Sequence, residues 1–263
     1  MSTNENKGKK AEVTALQAIS AEDRKDWISL AFVQAGICVC VPAFLLGALL
    51  AEAMPIWPAI ISGSLGYLIV VVGMVATGMI GCDLGLASCT CCQAGFGKSG
   101  ARFIVSTIFA VNMIGWFGIQ NGVCGEAFSN AMLAMTGWDI PVVVSNTIWG
   151  IIMLLTAVYG VHALEKLDKI SIPLLMIIMC YGIFLAFKVY GTGNLNDEGT
   201  VQSMSFMSGV ALSFNFTAVG TITGPDYTRF QKSRKDTVKS VFYGVFPMGV
   251  ITLIMGIVLT KLS

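Results

Sequence analysis

The sequence predicts an all-α integral membrane protein, and three observations carry that expectation. Of 263 residues, 55% are hydrophobic and 12% charged, about half the charged share of soluble domains. Mean hydropathy is +0.77. Seven apolar stretches, at about 27–50, 56–80, 103–124, 141–160, 170–187, 206–224 and 238–260, are each long enough to cross a bilayer as a helix. The charges collect in the segments between them. No patch of Lys and Arg with interleaved aromatics is present and the net charge is +1, so the partners expected are the lipid bilayer and a small solute, with no nucleic acid. Oligomeric state is not legible.

Residues 1–26 read as a solvated tail without a cleavable signal peptide, and 27–263 as one transmembrane domain. The tail carries Lys7, Lys9, Lys10, Arg24 and Lys25. With the second, fourth and sixth connecting loops it holds fourteen Lys and Arg residues, whereas the opposite side holds two, Lys188 and Lys261. Cytoplasmic loops are enriched in these residues, so the N-terminus is expected in the cytoplasm of a plasma-membrane protein.

The first span is a poor helix at its middle. Gly36 and Pro42 flank the run Ile37-Cys38-Val39-Cys40-Val41, and Pro42 has no N–H to offer the carbonyl of Cys38. Backbone acceptors are therefore expected free deep in the membrane, where only a cavity or a neighbouring group can satisfy them. The second span is continuously apolar. After it, Cys89, Cys91 and Cys92 read as reduced thiols in a cytoplasmic loop. Gly95-Phe96-Gly97-Lys98-Ser99-Gly100 resembles the end of a phosphate-binding loop, but Cys92 stands where its first glycine belongs and no strand precedes it.

The third span carries the most chemistry. Asn112, Trp116 and Gln120 recur every four residues, which on a helix places them in one stripe. Gly115, Gly118, Gly122 and Gly125 fall on the opposite side, smooth enough for close packing against another helix. An aromatic ring flanked by amides at mid-membrane suits a small planar polar solute. Amides at that depth are costly unless they meet partners or a wet cavity.

The fourth and fifth spans are plain, and His162 reads as a surface histidine at the cytoplasmic end of the fourth. The sixth span is short and polar, with Gly209, Ser213, Asn215, Phe216, Thr217, Gly220 and Thr221 before Gly224-Pro225. The seventh is apolar. Interrupted spans five apart cross in opposite directions, and such pairs mark the binding site of secondary transporters built from inverted repeats. No span holds a buried carboxylate for proton relay, which favours sodium as the coupling ion, held by unwound backbone at Gly36 and Val39. No other cofactor is expected. A seven-span sensor or receptor is the alternative class. No catalytic constellation is found, so an enzyme is not expected.

Several motifs together resemble the nucleobase:cation symporter family, in its purine–cytosine permease branch. They are F-V-Q-A-G at 32–36, G-x-x-x-G-L at 81–86, G-W-F-G at 115–118, G-V-H-A-L at 160–164, G-T-I-T at 220–223 and D-Y-T-R-F at 226–230. The resemblance implies a leucine-transporter-like fold of two inverted five-helix repeats, usually with twelve spans. It implies import of a nucleobase or related planar heterocycle by alternating access. The base would stack between Trp116 and Phe216, with Gln120, Asn112 and Asn215 as further candidates. Cytosine permeases carry a Gln three residues before the Trp, where Met113 stands here, and a Ser where Ala218 stands. Hydantoin-type members carry a Gln where Gln120 stands, so the departures point away from cytosine itself. In the family, sodium is held by first-span carbonyls, corresponding to Gly36 and Val39, plus groups from an eighth span. The expectation is thus a complete first repeat, an incomplete second one, and a chain that does not transport alone.

Overall fold

A computed structural model describes residues 16–158, 161–192, 195 and 203–262. Residues 1–15 of the expected tail, 159–160 of the fourth span and Ser263 lie outside the described residues, as does the His162 side chain. Helices dominate the described residues. They are α1 (Trp27–Cys38), α2 (Val41–Ala53), α3 (Ile56–Leu84), α4 (Ser88–Cys91), α5 (Gln93–Gly100), α6 (Ser106–Thr136), α7 (Val142–Val158), α8 (Val161–Tyr190), α9 (Phe206–Thr217), α10 (Val219–Thr228) and α11 (Arg234–Leu262). Among the described residues, five helical stretches are long and apolar enough to cross a membrane, the bent pair α1–α2 makes a sixth, and α7 is apolar but shorter.

The first span breaks just before Pro42. α1 stops at Cys38, Cys40 is extended (φ −143°, ψ 156°), and α2 restarts with Pro42 in its first turn. The two segments meet at 53°. Across the break, the Ala43 N–H bonds the Cys40 carbonyl at 3.0 Å rather than that of Val39. The sixth span is interrupted far less. Ala218, between α9 and α10, keeps helical angles (φ −54°, ψ −32°), and 206–228 runs on as one stretch. Two of its hydroxyls are absorbed by the helix itself. Thr217 donates to the Ser213 carbonyl and Thr221 to that of Ala218, at 3.1 and 2.6 Å, the back-bonding open to a hydroxyl in an apolar medium.

The core lies among α2, α3 and α11, where Leu46, Leu50, Tyr67, Met74, Leu253 and Ile257 are buried. Helix backbones approach closely there because glycines remove the intervening side chain. A Cβ on Gly256 would strike the Phe44 carbonyl oxygen, and one on Gly47 the Leu253 carbonyl oxygen. Helices in lipid associate through such packing and through interhelical hydrogen bonds. α3 and α9–α10 supply both. Ser213 donates to the Gly63 carbonyl at 2.7 Å, Thr77 to that of Thr221 at 2.6 Å, and Thr228 to that of Gly78 at 2.7 Å. The constant offset of 150 residues between the first and last pairs shows that α3 and α9–α10 run parallel. Replacing Thr77 with Val removes one such bond and is expected to cost about 0.6 kcal/mol, read as a small fall in Tm in detergent.

At the polar end of this body the segment before α1 is tied down. The Arg24 guanidinium donates to the carbonyls of Cys82 and Gln231, both at 3.0 Å. Asp83 pairs with Arg234 at 2.6 Å, and Asp26 with Lys232 at 2.6 Å.

α6 stands apart. Only Gly125 and Ser129 are buried along it. The glycine face expected to pack is met in this chain at one point, where Asn146 of α7 covers Gly125. A Cβ on Gly115, Gly118 or Gly122 would meet nothing within 4 Å. Asn121 and Gly125 face α7, and Gly122 between them is turned away from it.

Candidate binding cavity

A cavity of about 320 Å³ opens where the α1–α2 break faces α3, α6, α9–α10 and α11. Each wall follows from a local feature. The break brings Gly36, Ile37, Cys38 and Cys40 to the cavity instead of a closed helical turn. From α6 come Trp116 and Gln120, with Met113 a turn earlier on the same wall. From α9–α10 come Phe216, Thr217, Gly220 and Thr223, and from α3 the plain apolar residues Val70 and Met74.

The two rings expected to hold a solute meet directly. Trp116 and Phe216 have centroids 5.3 Å apart and planes at 84°, an edge-to-face pair, one of the favoured arrangements for two aromatics. Gln120 stands beside the Cys40 sulfur and interacts with it, so its amide faces the helix break. The Cys40 thiol also donates to the Ile37 carbonyl at 3.5 Å. The remaining polarity is hydroxyl. Thr217 and Thr223 donate back to the carbonyls of Ser213 and Val219, each at 3.1 Å, which leaves their oxygen lone pairs to accept. No charged side chain is among the described residues lining the cavity.

Of the residues singled out from sequence, Trp116, Gln120, Phe216 and Gly36 converge on this cavity. Asn112 and Asn215 are exposed and do not line it. Asn112 is one full turn before Trp116, and Asn215 points about 100° away from Phe216 around α9. Val39 is buried at the break with its N–H bonded to the Ala35 carbonyl at 2.9 Å, and is not a lining residue. Cys40, Met74, Thr223, Tyr227 and Val245 line the cavity and were not anticipated. Cys40 had a signal, its position two residues before Pro42. Met74 and Val245 had none, because an apolar residue in an apolar helix looks alike whichever way it faces.

A discontinuous helix beside a mid-span cavity, in an all-helical bundle, is the build of a membrane transporter. The fold agrees with Mhp1, a nucleobase-cation-symport-1 family transporter solved in a closed conformation with bromovinylhydantoin bound. The TM-score is 0.77 at 18% identity, over 96% of this chain and 56% of that one. The leucine-transporter-like architecture expected from sequence is therefore the observed one.

The family is equally direct: residues 19–263 match the model of the permeases for cytosine/purines, uracil, thiamine and allantoin, and the chain belongs to that family. It is 27% identical over 237 residues to the cytosine permease of Escherichia coli K12, covering 89% of this chain and 54% of the relative. It is 25% identical over 247 residues to the purine-uracil permease NCS1 of Arabidopsis thaliana, covering 84% and 41%. The chain thus spans about half the length of the curated relatives it matches. The relatives are permeases rather than enzymes, and the chain is a multi-pass membrane protein.

Proposed function

We propose that this chain forms the solute-binding half of a secondary transporter that imports a nucleobase or a related planar heterocycle such as allantoin or a hydantoin. Alternating access between two inverted repeats moves the solute across the plasma membrane, with the N-terminus in the cytoplasm, and sodium is the coupling ion. The observation that carries the reading is the ring pair Trp116–Phe216 with the Gln120 amide at the α1–α2 break. A flat solute would enter by turning apart the two rings, which touch edge to face, so that each offers it a face, and the amide offers both a donor and an acceptor to its edge. Sodium would sit on carbonyls of the break around Gly36 and Val39, with no proton-carrying carboxylate in the described lining to compete for the role. Met113 and Gln120 together favour an allantoin- or hydantoin-like ring over cytosine.

The test is uptake of labelled cytosine, purines, uracil, allantoin and hydantoins into cells making the full polypeptide that contains this chain, with and without sodium. Saturable uptake of one of these rings that sodium stimulates is the expected result. Accumulation of none of them sinks the reading, and uptake indifferent to sodium but driven by a proton gradient removes the sodium assignment alone.

The charge-free lining adds a selectivity prediction. Moving a charged group out of water without a counter-charge is far costlier than moving a neutral one. Uptake should therefore follow the neutral fraction of the solute as external pH is varied across its pKa. An anionic analogue of the same ring should fail to compete. Equal competition by neutral and anionic forms would contradict a cavity of this polarity.

A further inference from the structure

α6 and α7 are fitted to each other by a reciprocal device that the cavity alone does not use. At one level Gly125 of α6 faces Asn146 of α7. A Cβ on Gly125 would fall on the Asn146 amide oxygen and come within 2.8 Å of its backbone nitrogen. One turn earlier along α6 the roles reverse, and Asn121 lies over Gly150 of α7. A Cβ on Gly150 would stand 3.2 Å from the Asn121 amide nitrogen. The helices are antiparallel neighbours joined by a short connection, so 121 meets 150 as 125 meets 146. The fit continues into the next turn. Phe128 and Trp149 pack edge to face with centroids 5.5 Å apart, and the Ser129 hydroxyl donates to the Ile140 carbonyl.

An amide seated in a glycine notch resists both sliding and rotation, because either motion drives it into the side chains flanking the glycine. The amide oxygens of Asn121 and Asn146 are buried without a hydrogen-bond partner among the described residues. Leaving a buried acceptor unpaired is costly, and alkyl side chains would hold two helices together without that cost. The two asparagines therefore call for a role beyond adhesion.

The position of Asn121 supplies one. It directly follows Gln120, and successive residues on a helix are turned by about 100°. Directing Asn121 at α7 fixes the direction of Gln120 and, one turn earlier, of Trp116. The apolar middle of α6 has no buried residue in this chain, so the α7 contact is the tight fit that orients it. We propose that Asn121 and Asn146 are positioning residues that index α6 on α7 and so hold Trp116 and Gln120 towards the cavity. The proposal rests on the reading of those two residues as the solute-binding pair.

The test reads the rotation of α6 separately from transport. In the full polypeptide, Gln120→Cys puts a second thiol beside Cys40, and oxidative cross-linking quantified on the linked peptides reports whether α6 still faces the break. Asn121→Leu and Gly150→Asn should each lower the linking yield severalfold at equal amounts of inserted protein. In the Gln120 background both should raise the KM of uptake severalfold, and by more than they lower Vmax. Combining Asn121→Gly with Gly150→Asn returns one amide to one glycine across the same contact, and should restore yield and KM. Where the larger changes prevent folding, Gly150→Ala, which asks for a shift of a few tenths of an ångström, gives the same directions in smaller measure. Unchanged linking yield and KM in well-inserted variants would overturn the proposal, as would a double variant no better than the singles. A lowered yield in a protein whose unsubstituted form takes up no heterocycle would leave the indexing intact and remove the transport reading instead.

Discussion

Trp116→Ala is expected to weaken binding of the solute while leaving the protein folded. A ring stacked on an aromatic side chain gains about 1–3 kcal/mol per base, which converts to roughly 5- to 150-fold in affinity. Half-buried Trp116 touches Phe216 across an open cavity rather than filling the core among α2, α3 and α11, so its loss should cost little stability. The measurement is equilibrium binding of the preferred ring to purified full-length protein, with Tm recorded on the same sample. Trp116→Phe should recover most of the affinity, since it restores an aromatic face. Binding unaffected by Trp116→Ala would show that the cavity is not the solute site. A fall in Tm matching the loss of affinity would assign the tryptophan to packing.

Gly256→Val is expected to have the largest effect on folding. The Cβ alone would strike the Phe44 carbonyl oxygen, and Phe44 Cα lies 3.1 Å away. The obstacle is backbone on a neighbouring helix and cannot turn aside as a side-chain tip would. α2 and α11 would have to separate, disturbing the buried Leu46, Leu253 and Ile257. Overpacking a well-filled core costs about 1–3 kcal/mol and sometimes more, and rigid backbone on both sides puts this site at the upper end. The protein should be lost as a monodisperse peak in size-exclusion chromatography. The control is Gly118→Val on α6, where a Cβ meets nothing within 4 Å in this chain. Its effect within this chain should be limited to helix propensity, so equal loss in both variants would mean that the α2–α11 approach is not the reason.

The two glycine sets show how far patterns in the sequence reach. On α6 the glycines at 115, 118, 122 and 125 formed a visible face, yet only Gly125 is packed in this chain. Gly47 and Gly256, which form the close α2–α11 crossing, follow no pattern that sets them apart from other glycines in apolar helices. A small residue permits close approach, but which helix arrives is decided by the whole bundle. The two expected breaks divide in the same way. Pro42 withholds a backbone donor and the first span bends by 53°, whereas Pro173 and Pro247 withhold theirs inside helices that continue, so the surrounding packing also decides where a span breaks. The sixth span has polar residues that looked like an interruption, but Thr217 and Thr221 satisfy themselves on their own helix and the span stays nearly continuous.

What the sequence determined by itself is what covalent chemistry and hydropathy dictate locally. These are the membrane-spanning helices, the missing backbone donor at Pro42, and the shared stripe that carries Trp116 and Gln120. The tertiary structure decided which of these local features meet. It brought Phe216 to within 5.3 Å of Trp116, set Cys40 beside Gln120, turned Met74 into a cavity wall, and left Asn112 and Asn215 outside. A side chain's direction relative to its own helix is fixed by a period of 3.6 residues. Its direction relative to the other helices depends on how glycines, hydroxyls and amides on distant segments allow those helices to approach, and no short stretch of sequence contains that information.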